Sequence, residues 1–396
     1  MYEQGTGIKQ DAFKAVEFYQ KSCNLNNGWQ CVDLGLKYFL GDGVKQDDFK
    51  AVEFLQKACD LNNGRGCAGL GFMYQQGKGV KKDDFKAVKF FQKACGLNHG
   101  KSCCNLGVAY EQGTGIKQDD FKAVEFYQKA CDLNDGLSCS NLGFMYQQGK
   151  GVKKDDFKAV EFYQKACDLD EGKGCFNLGL MYEDGKGIKK DDFKAVEFYQ
   201  KACDLDEGWG CVGLGVKYQQ GKGVKKDDFK AVKFLQKACG LNHGKGCFNL
   251  GVTYRNGIGV KKDDFKAVKF FQKACGLNHG KGCFNLGVMY EQGTGIKQDA
   301  FKAVEFYQKA CNLNNGSGCS NLGVMYERGK GLRKSIDKAL MYYGKACDLK
   351  QAIGCKNYAI LNLNKILSLN KGALPFDLFG DKILSLFMVI FYVFTQ

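Results

Sequence analysis

Residues 175–210 read CFNLGLMYEDGKGIKKDDFKAVEFYQKACDLDEGWG, and closely similar segments recur every 36 residues along the chain. A strict period of this length predicts one supersecondary unit that is stacked many times. The 396 residues are therefore expected to form one repeat array rather than two or three globular domains. We place a truncated first repeat at residues 1–30, nine full repeats at 31–354 and a degenerate C-terminal tail at 355–396.

The first half of the quoted segment has the period of an α-helix. Offsets of 0, 3, 4 and 7 residues, which share one helical face, are occupied by Cys175, Leu178, Gly179 and Tyr182. We expect this helix A to run from about Cys175 to Asp184, and the glycines at 185 and 187 to end it and turn the chain. The small residue beside Leu178 predicts a close approach of the next helix.

The second half of the segment predicts helix B. Asp191 is expected to be its N-cap, because a side-chain oxygen at this place accepts hydrogen bonds from the first free backbone N–H groups. The helix is expected to reach about Cys203. Its apolar face is predicted to consist of Phe193, Ala195, Val196, Tyr199 and Ala202.

Twenty of the 21 cysteines form ten pairs, and the two members of each pair are eight residues apart. The pairs are Cys23 with Cys31, Cys59 with Cys67, Cys95 with Cys103, Cys131 with Cys139, Cys167 with Cys175, Cys203 with Cys211, Cys239 with Cys247, Cys275 with Cys283, Cys311 with Cys319, and Cys347 with Cys355. Such regular pairing is typical of disulfides in an exported protein. Zinc is the alternative, but zinc sites use shorter cysteine spacings, usually with histidine. A bridge from the end of helix B to the next helix A would stabilise the fold by about 2.5 kcal/mol.

The cysteines and the N-terminal residues give conflicting predictions of the cellular compartment. Disulfides predict a secreted or periplasmic protein, yet residues 1–5 do not resemble a signal peptide. Met1 aligns with methionines in the middle of helix A in later repeats, namely Met73, Met145, Met181, Met289 and Met325. We therefore expect that the chain starts within a repeat and that a longer product carries the signal.

The net charge of +15 raises the question of an acidic partner. Lysines and acidic residues interleave along the repeats, and the four arginines form no stripe with aromatic residues. We therefore expect no nucleic-acid partner, and at most a weak attraction to acidic surfaces such as envelope or mucin. In the tail, the apolar run 383–394 has twelve residues, whereas a membrane span needs about twenty, so we expect no membrane anchor. Aberrant sequence is the preferred explanation of the tail.

The repeated pattern is leucine-glycine, tyrosine three residues later, Gly-x-Gly, an acidic start of helix B and Lys-Ala near its end. On these residues the chain resembles the Sel1-like repeat family, a relative of the tetratricopeptide repeats, over about residues 1–358. With a disulfide in every repeat, it is similar to the secreted Helicobacter cysteine-rich proteins. The resemblance implies an all-α fold, an α/α solenoid in which antiparallel helix pairs form a right-handed superhelix with helix A on the concave face.

The same resemblance implies a test for β-lactamase or penicillin-binding chemistry, because members of this family are often described so. Ser-x-x-Lys, the nucleophile motif of the serine enzymes, occurs at Ser335 with Lys338 and at Ser368 with Lys371, but Ser-Asp-Asn and Lys-Thr-Gly do not occur. Ser335 replaces an aspartate of other repeats and is most simply an N-cap. No catalytic residue is therefore predicted, and β-lactam hydrolysis stays the alternative function.

No cofactor or metal is expected either, because the three histidines occupy one equivalent turn position in separate repeats. These are His99, His243 and His279, and we interpret them as turn residues. The unpaired Cys104 is interpreted as a tolerated substitution with a spare thiol, and intermolecular pairing is the alternative.

One polar position on helix A predicts binding. An asparagine lies two residues after the first cysteine of helix A in most repeats, as Asn105, Asn141, Asn177, Asn249, Asn285 and Asn321. This asparagine row is predicted to face the groove and to hydrogen-bond an extended peptide, beside the phenylalanines Phe176, Phe248 and Phe284. The alternative is that the asparagines stabilise their own repeats while the phenylalanines pack between neighbours. We predict a non-catalytic, exported scaffold whose partner is a protein or peptide, such as a host or cell-envelope component.

Overall fold

The computed structural model describes residues 12–370, and every regular element in this range is an α-helix. The helices are α1 (Ala12–Asn24), α2 (Gly28–Leu40), α3 (Asp48–Asp60), α4 (Gly64–Gln76), α5 (Asp84–Gly96), α6 (Gly100–Gln112), α7 (Asp120–Asp132), α8 (Gly136–Gln148), α9 (Asp156–Asp168), α10 (Gly172–Asp184), α11 (Asp192–Asp204), α12 (Gly208–Gln220), α13 (Asp228–Gly240), α14 (Gly244–Asn256), α15 (Asp264–Gly276), α16 (Gly280–Gln292), α17 (Ala300–Asn312), α18 (Gly316–Arg328), α19 (Ile336–Asp348) and α20 (Ala352–Asn370).

Even-numbered helices are helix A of a repeat, and odd-numbered helices are helix B. Helix α10 begins at Gly172, three residues before the predicted start, and Glu171 at the N-cap position makes no side-chain cap hydrogen bond. The predicted N-cap of α11 is confirmed, since the Asp191 carboxylate accepts hydrogen bonds from the backbone N–H groups of Phe193 and Lys194 at 3.0 and 3.1 Å. Each repeat is therefore a pair of helices with defined caps.

The turn from helix A to helix B needs two glycines for different reasons. Gly185 is the C-cap of α10 in the left-handed region, with φ of 69°, which only glycine adopts without a steric cost. Gly187 also has a positive φ, and a Cβ atom there would lie 2.1 Å from the carbonyl oxygen of Asp156 in the preceding helix B. The Gly-x-Gly loop is thus a contact between repeats as well as a turn.

The turn from helix B to the next helix A also has a left-handed residue. The residue has φ between 56° and 64° in all ten such turns, and it is Asn26, Asn62, Asn98, Asn134, Asp170, Asp206, Asn242, Asn278, Asn314 or Lys350. Asparagine and aspartate tolerate this conformation better than other residues with a side chain. The local backbone therefore explains why nine of the ten positions carry these two residue types.

Consecutive helices pack against each other closely, as the small residue of helix A predicts. A Cβ atom on Gly179 would lie 2.6 Å from the ring of Tyr199, so a larger residue would separate α10 from α11. Leu178 and Tyr199 are almost completely buried at this contact. The chain divides into two compact units after Gly210, and in each of them helices pack in chain order. The predicted all-α solenoid of paired helices is confirmed.

The prediction for the apolar face of helix B is wrong at one residue, Phe193, which does not lie on the buried face. Phe193 is 76% exposed, whereas Ala195 and Tyr199 are buried. Phe193 precedes Ala195 by two residues, which is about 200° of rotation around a helix, so the two side chains point in nearly opposite directions. The same exposure recurs at the equivalent phenylalanine of eight other repeats.

Candidate functional site

The disulfides occur where the sequence pairs the cysteines. Nine bonds have Cα–Cα distances of 4.5–4.8 Å and join Cys23 to Cys31, Cys59 to Cys67, Cys95 to Cys103, Cys131 to Cys139, Cys167 to Cys175, Cys239 to Cys247, Cys275 to Cys283, Cys311 to Cys319, and Cys347 to Cys355. Cys203 and Cys211 are disulfide-bonded as well. Each of the nine bonds connects the last turn of a helix B with the first turns of the next helix A.

The bonded cysteines support the fold and are not part of a binding surface. The second cysteine of each bond lies in a helix A, as Cys31, Cys67, Cys103, Cys139, Cys175, Cys247, Cys283, Cys319 and Cys355. Apart from the half-buried last pair, the bonded cysteines are at most 3% exposed. A sulfur in a disulfide is neither a thiolate ligand nor a nucleophile. Solvent reductants reach the buried bonds only after local opening.

The free cysteine is not placed for chemistry at the surface. Cys104 is 3% exposed in α6. Burial raises the pKa of its thiol to about 11, so the reactive thiolate form is scarce at neutral pH. An intermolecular disulfide at this residue would require the repeat to open first.

The first Ser-x-x-Lys motif is a helix start. The Ser335 hydroxyl caps α19 and accepts a hydrogen bond from the backbone N–H of Lys338 at 3.3 Å. The Lys338 ammonium lies 5.3 Å from the ring centroid of Tyr326. This geometry is that of an N-cap and a cation–π contact. The Ser368 side chain and Lys371 lie outside the described residues, as does the apolar run 383–394.

The three histidines occupy N-cap positions of helix A, in agreement with their interpretation as turn residues. His99 Nδ1 lies 2.9 Å from the Ser102 hydroxyl, and His279 Nδ1 accepts a hydrogen bond from the Gly282 N–H at 3.3 Å. Burial, followed by nearby cations, lowers the pKa of His99 and His279. Between residues 12 and 370, no group of three or more histidine, cysteine or carboxylate side chains could hold a metal ion.

The asparagine row is half-buried at all six positions on helix A. At one of them, Asn105 lines a cavity of about 70 Å³ together with the polar side chains of Gln75, Gln112 and Thr114. Asp84 lines the same cavity, and the rest of its lining is apolar.

The phenylalanine beside the row packs between helices in the repeat where its ring contacts are clearest. Phe176, next to Asn177, contacts the rings of Tyr199 and Trp209 at 5.7 and 6.0 Å between centroids. This ring therefore belongs to the packing between helices rather than to an open groove.

A polar contact inside the helix pairs was missed by the sequence analysis. The hydroxyl of a buried tyrosine in helix B donates a hydrogen bond of 2.6–3.0 Å to a glutamate or glutamine near the end of helix A. The pairs are Tyr127 with Glu111, Tyr163 with Gln147, Tyr199 with Glu183, Tyr307 with Glu291, and Tyr343 with Glu327. Burial and, next, the Glu291 hydrogen bond raise the pKa of Tyr307 above its ordinary value.

The sequence signal for this contact is that each glutamate at this helix A position has a tyrosine 16 residues later, whereas glutamine occurs with either residue type. Where helix B has an apolar residue instead of tyrosine, as in Phe91 or Phe271, the helix A position carries no carboxylate and is Gln75 or Arg255.

In two of the tyrosine repeats, a lysine of the following repeat also reaches the carboxylate. Lys150 lies 3.0 Å from Glu111, and Lys330 lies 3.1 Å from Glu291. The carboxylate therefore links the helices of one repeat to the next.

The repeats fall into two classes at several positions at once. Lysine repeats have a lysine four residues after the exposed phenylalanine, an apolar residue in place of the buried tyrosine, glycine at the end of helix B and histidine in the turn. Glutamate repeats have a glutamate four residues after the exposed phenylalanine, and they keep the buried tyrosine. The lysine repeats are 64–99, 210–243 and 244–279, and the glutamate repeats are 100–135, 136–171, 172–207 and 280–315.

The net charge follows this division, although lysines and acidic residues interleave along every repeat. Each lysine repeat has seven lysine or arginine residues and two aspartates, a net charge of +5. The three together equal the +15 of the whole chain, so the remaining residues sum to zero. The excess positive charge is therefore concentrated in three repeats.

The family model of the Sel1 repeat matches ten segments of the chain. They are residues 1–27, 31–63, 64–99, 100–135, 136–171, 172–207, 210–243, 244–279, 280–315 and 316–350. A comparison with curated protein sequences found no match. Within residues 12–367, no helix is long and apolar enough to cross a membrane.

Several solved structures are similar to this chain. A protective antigen of uropathogenic Escherichia coli with an SLR fold is 27% identical, and the match covers 92% of this chain and 78% of that one with a TM-score of 0.66. A Sel1 repeat protein of Oxalobacter formigenes is 23% identical, covering 77% and 89% of the two chains with a TM-score of 0.60. The Helicobacter pylori cysteine rich protein B is 38% identical, covering 35% and 99% with a TM-score of 0.29.

Proposed function

Because the chain belongs to the Sel1 repeat family, we propose that it is an exported, non-catalytic scaffold that binds a protein or peptide along helices A. The observation that carries this proposal is the asparagine row, which places half-buried amide groups at one position of successive helices. An amide donates and accepts hydrogen bonds, so regularly spaced amides suit the backbone of an extended peptide.

Export is supported by the disulfides, because bonds of this number are kept in oxidising compartments and are rare in a reducing cytosol. The similar Escherichia coli protein is described as a protective antigen, which agrees with a location that a host can reach. A disulfide in each repeat resists local unfolding and would protect the array outside the cell.

Peptide binding is tested with a display library selected on the oxidised protein, followed by affinity measurements with the selected peptides. The variant changes Asn105, Asn141 and Asn177 to alanine. We expect at least about a tenfold loss of affinity, since each lost hydrogen bond is worth about 1 kcal/mol.

The matched control changes three exposed residues of helix B in the same repeats, Glu125, Glu161 and Glu197, to alanine. This control should bind as the unmodified chain does, and both variants should keep its melting temperature within a few degrees. Equal affinities of the asparagine variant and the unmodified chain would contradict the proposal.

No observation favours β-lactam hydrolysis, since the Ser335 hydroxyl is used as a helix cap. With nitrocefin as substrate, we expect neither turnover nor an acylated protein in mass spectrometry. Ser335→Ala should only lower the stability by about 1 kcal/mol, as the loss of an N-cap does. Acylation that disappears in this variant would establish the enzymatic alternative.

A further inference from the structure

The second residue of helix B is an exposed phenylalanine in nine repeats. These residues are Phe13, Phe49, Phe85, Phe121, Phe157, Phe193, Phe229, Phe265 and Phe301, and they are 58–77% exposed. They contribute little to the core, although phenylalanine is usually buried in a folded protein. Apolar side chains repeated on one surface are characteristic of an interaction site.

Two consecutive phenylalanines are neighbours at the surface of the first compact unit. Phe13 and Phe49, from neighbouring repeats, line one surface depression together with Tyr38 and Lys50. A second depression has the equivalent residues Tyr110 and Phe121. The first depression combines aromatic rings, the carboxylates of Asp47 and Asp48, and Lys50, whose Nζ lies 5.1 Å from the Tyr38 ring centroid.

In the lysine repeats, the ammonium group of another lysine lies over the exposed phenylalanine ring. The Nζ atoms of Lys89, Lys233 and Lys269 lie 4.5, 4.9 and 4.6 Å from the ring centroids of Phe85, Phe229 and Phe265. The rings are 58–60% exposed there, compared with 73–77% at Phe49, Phe121, Phe157, Phe193 and Phe301, where glutamate occupies the lysine position. The lysine is therefore held at the aromatic surface.

These three lysines have no carboxylate within ion-pair distance among the described residues, whereas Lys226 and Lys262 lie 3.6 and 3.5 Å from Asp228 and Asp264. An ammonium group over a ring keeps its charge available to an external anion. Two such groups, Lys233 and Lys269, are in successive repeats of the same compact unit. Residues 211–279 thus present an aromatic ring with a free cation at a spacing of one repeat.

We propose that the lysine–phenylalanine surface of residues 211–279 binds an acidic polysaccharide, that is, a polymer of sugar rings with regularly spaced carboxylate or sulfate groups. The apolar C–H face of a sugar ring can cover an exposed aromatic ring, while the ammonium groups pair with the anions. A polymer with a regular repeat of ring and charge matches a protein surface with the same two features. This surface is on helix B and is independent of the asparagine row on helix A.

Other acidic partners fit the surface less well. An anionic membrane would also meet the exposed phenylalanines of the glutamate repeats, each of which has a carboxylate four residues later. An acidic peptide supplies charges but no rigid ring face at each charge. Nucleic-acid binding usually relies on arginine, and residues 211–279 contain one arginine, Arg255.

The test measures binding of a heparin oligosaccharide to the oxidised full chain at several salt concentrations. A charge variant carries Lys233→Glu and Lys269→Glu, which are the residues that glutamate repeats have naturally. A ring variant carries Phe229→Ala and Phe265→Ala. We expect each to lose at least about tenfold in affinity, the charge variant with a weaker salt dependence and the ring variant with an unchanged one.

The matched controls carry Phe121→Ala with Phe157→Ala, which should not change the affinity, and Glu125→Lys with Glu161→Lys, which should increase it. All four of these positions are exposed, so the variants should keep the melting temperature of the unmodified chain. A ring variant that binds like the unmodified chain would overturn the proposal. So would equal or tighter binding of DNA, of poly-glutamate or of anionic vesicles.

Discussion

Lysine repeats and glutamate repeats share one backbone and differ in how their polar groups are used. Both classes have the left-handed turn residue, the Gly-x-Gly loop and the disulfide. Glutamate repeats add two internal hydrogen bonds. One joins the buried tyrosine to helix A, and the other joins a glutamine to the last residue of helix B, as in Gln164 to Asp168 at 2.9 Å. Lysine repeats lack both bonds. An apolar residue replaces the tyrosine donor, and a glycine replaces the acceptor at the end of helix B.

Both classes therefore share the turns and the disulfides and differ in the polar pairs. Surface charge changes together with these pairs, because the repeats without internal carboxylates are also the ones whose lysines lie over phenylalanine rings. We infer that a lysine repeat is less stabilised internally and better suited to bind an external anion. The following predictions test that separation.

The largest change in stability is expected from the disulfides, which both classes of repeat contain. Replacing a cysteine pair by alanine should lower the stability by about 2.5 kcal/mol, because the open chain regains the entropy of a short closed loop. The bond of Cys131 with Cys139 joins two glutamate repeats, and the bond of Cys275 with Cys283 begins in a lysine repeat. Hydrogen exchange of the adjoining helices should show similar losses at both. A loss at one pair alone would mean that the disulfide is not a shared stabilising element.

The next largest change in stability concerns the tyrosine hydrogen bond, which only the glutamate repeats of the two classes contain. Tyr307→Phe in a glutamate repeat should cost about 1–2 kcal/mol, because the Glu291 carboxylate loses a buried hydrogen-bond donor. The double variant with Glu291→Gln should recover part of the loss, because Phe91 and Gln75 are such a combination in a lysine repeat, while the ion pair of Glu291 with Lys330 is given up. Chemical denaturation measures both. If the double variant is no better than the single one, the two positions are not coupled.

A gain of stability is expected in the lysine repeats. Gly96 ends α5, and a Cβ atom there would have no neighbour within 4 Å. Gly96→Ala should therefore raise the stability by about 0.5–1 kcal/mol, since alanine restricts the unfolded chain more than glycine does. Thermal denaturation measures the change. Gly71→Ala is the opposite control, because its Cβ would lie 2.5 Å from the Phe91 ring. A destabilising Gly96→Ala would contradict the open environment of this glycine.

The smallest effect is a pH dependence in the lysine repeats. Burial, then Lys281 and Lys245, lower the pKa of His279 below that of the unfolded chain, about 6.5. The unfolded state therefore binds the proton first, and stability should fall as the pH drops through and below about 6.5. His279→Asn, which has the cap found at Asn315, should remove this part of the pH dependence in melting curves recorded from neutral to mildly acidic pH. An unchanged curve would count against this role of His279.

Much of each repeat was predictable from local rules. The Asp191 cap, the glycine C-cap at 185 and the pairing of Cys167 with Cys175 depend on neighbouring residues or on a strict period. The asparagine row lies on helix A, but its ligand remains a prediction. The tyrosine–carboxylate bond depends on two residues 16 positions apart, and it could be found only by comparing repeats with one another.

The sequence alone determined the helix pairs, their turns and the disulfides, because caps, left-handed residues and a short closed loop are local properties that one repeat contains completely. The tertiary structure decided which side of each helix is buried. Phe193 is as apolar as Tyr199, yet the packing of neighbouring helices covers only Tyr199 and leaves Phe193 in solvent. Burial depends on which surfaces meet, so the exposed phenylalanines became visible only in the assembled array.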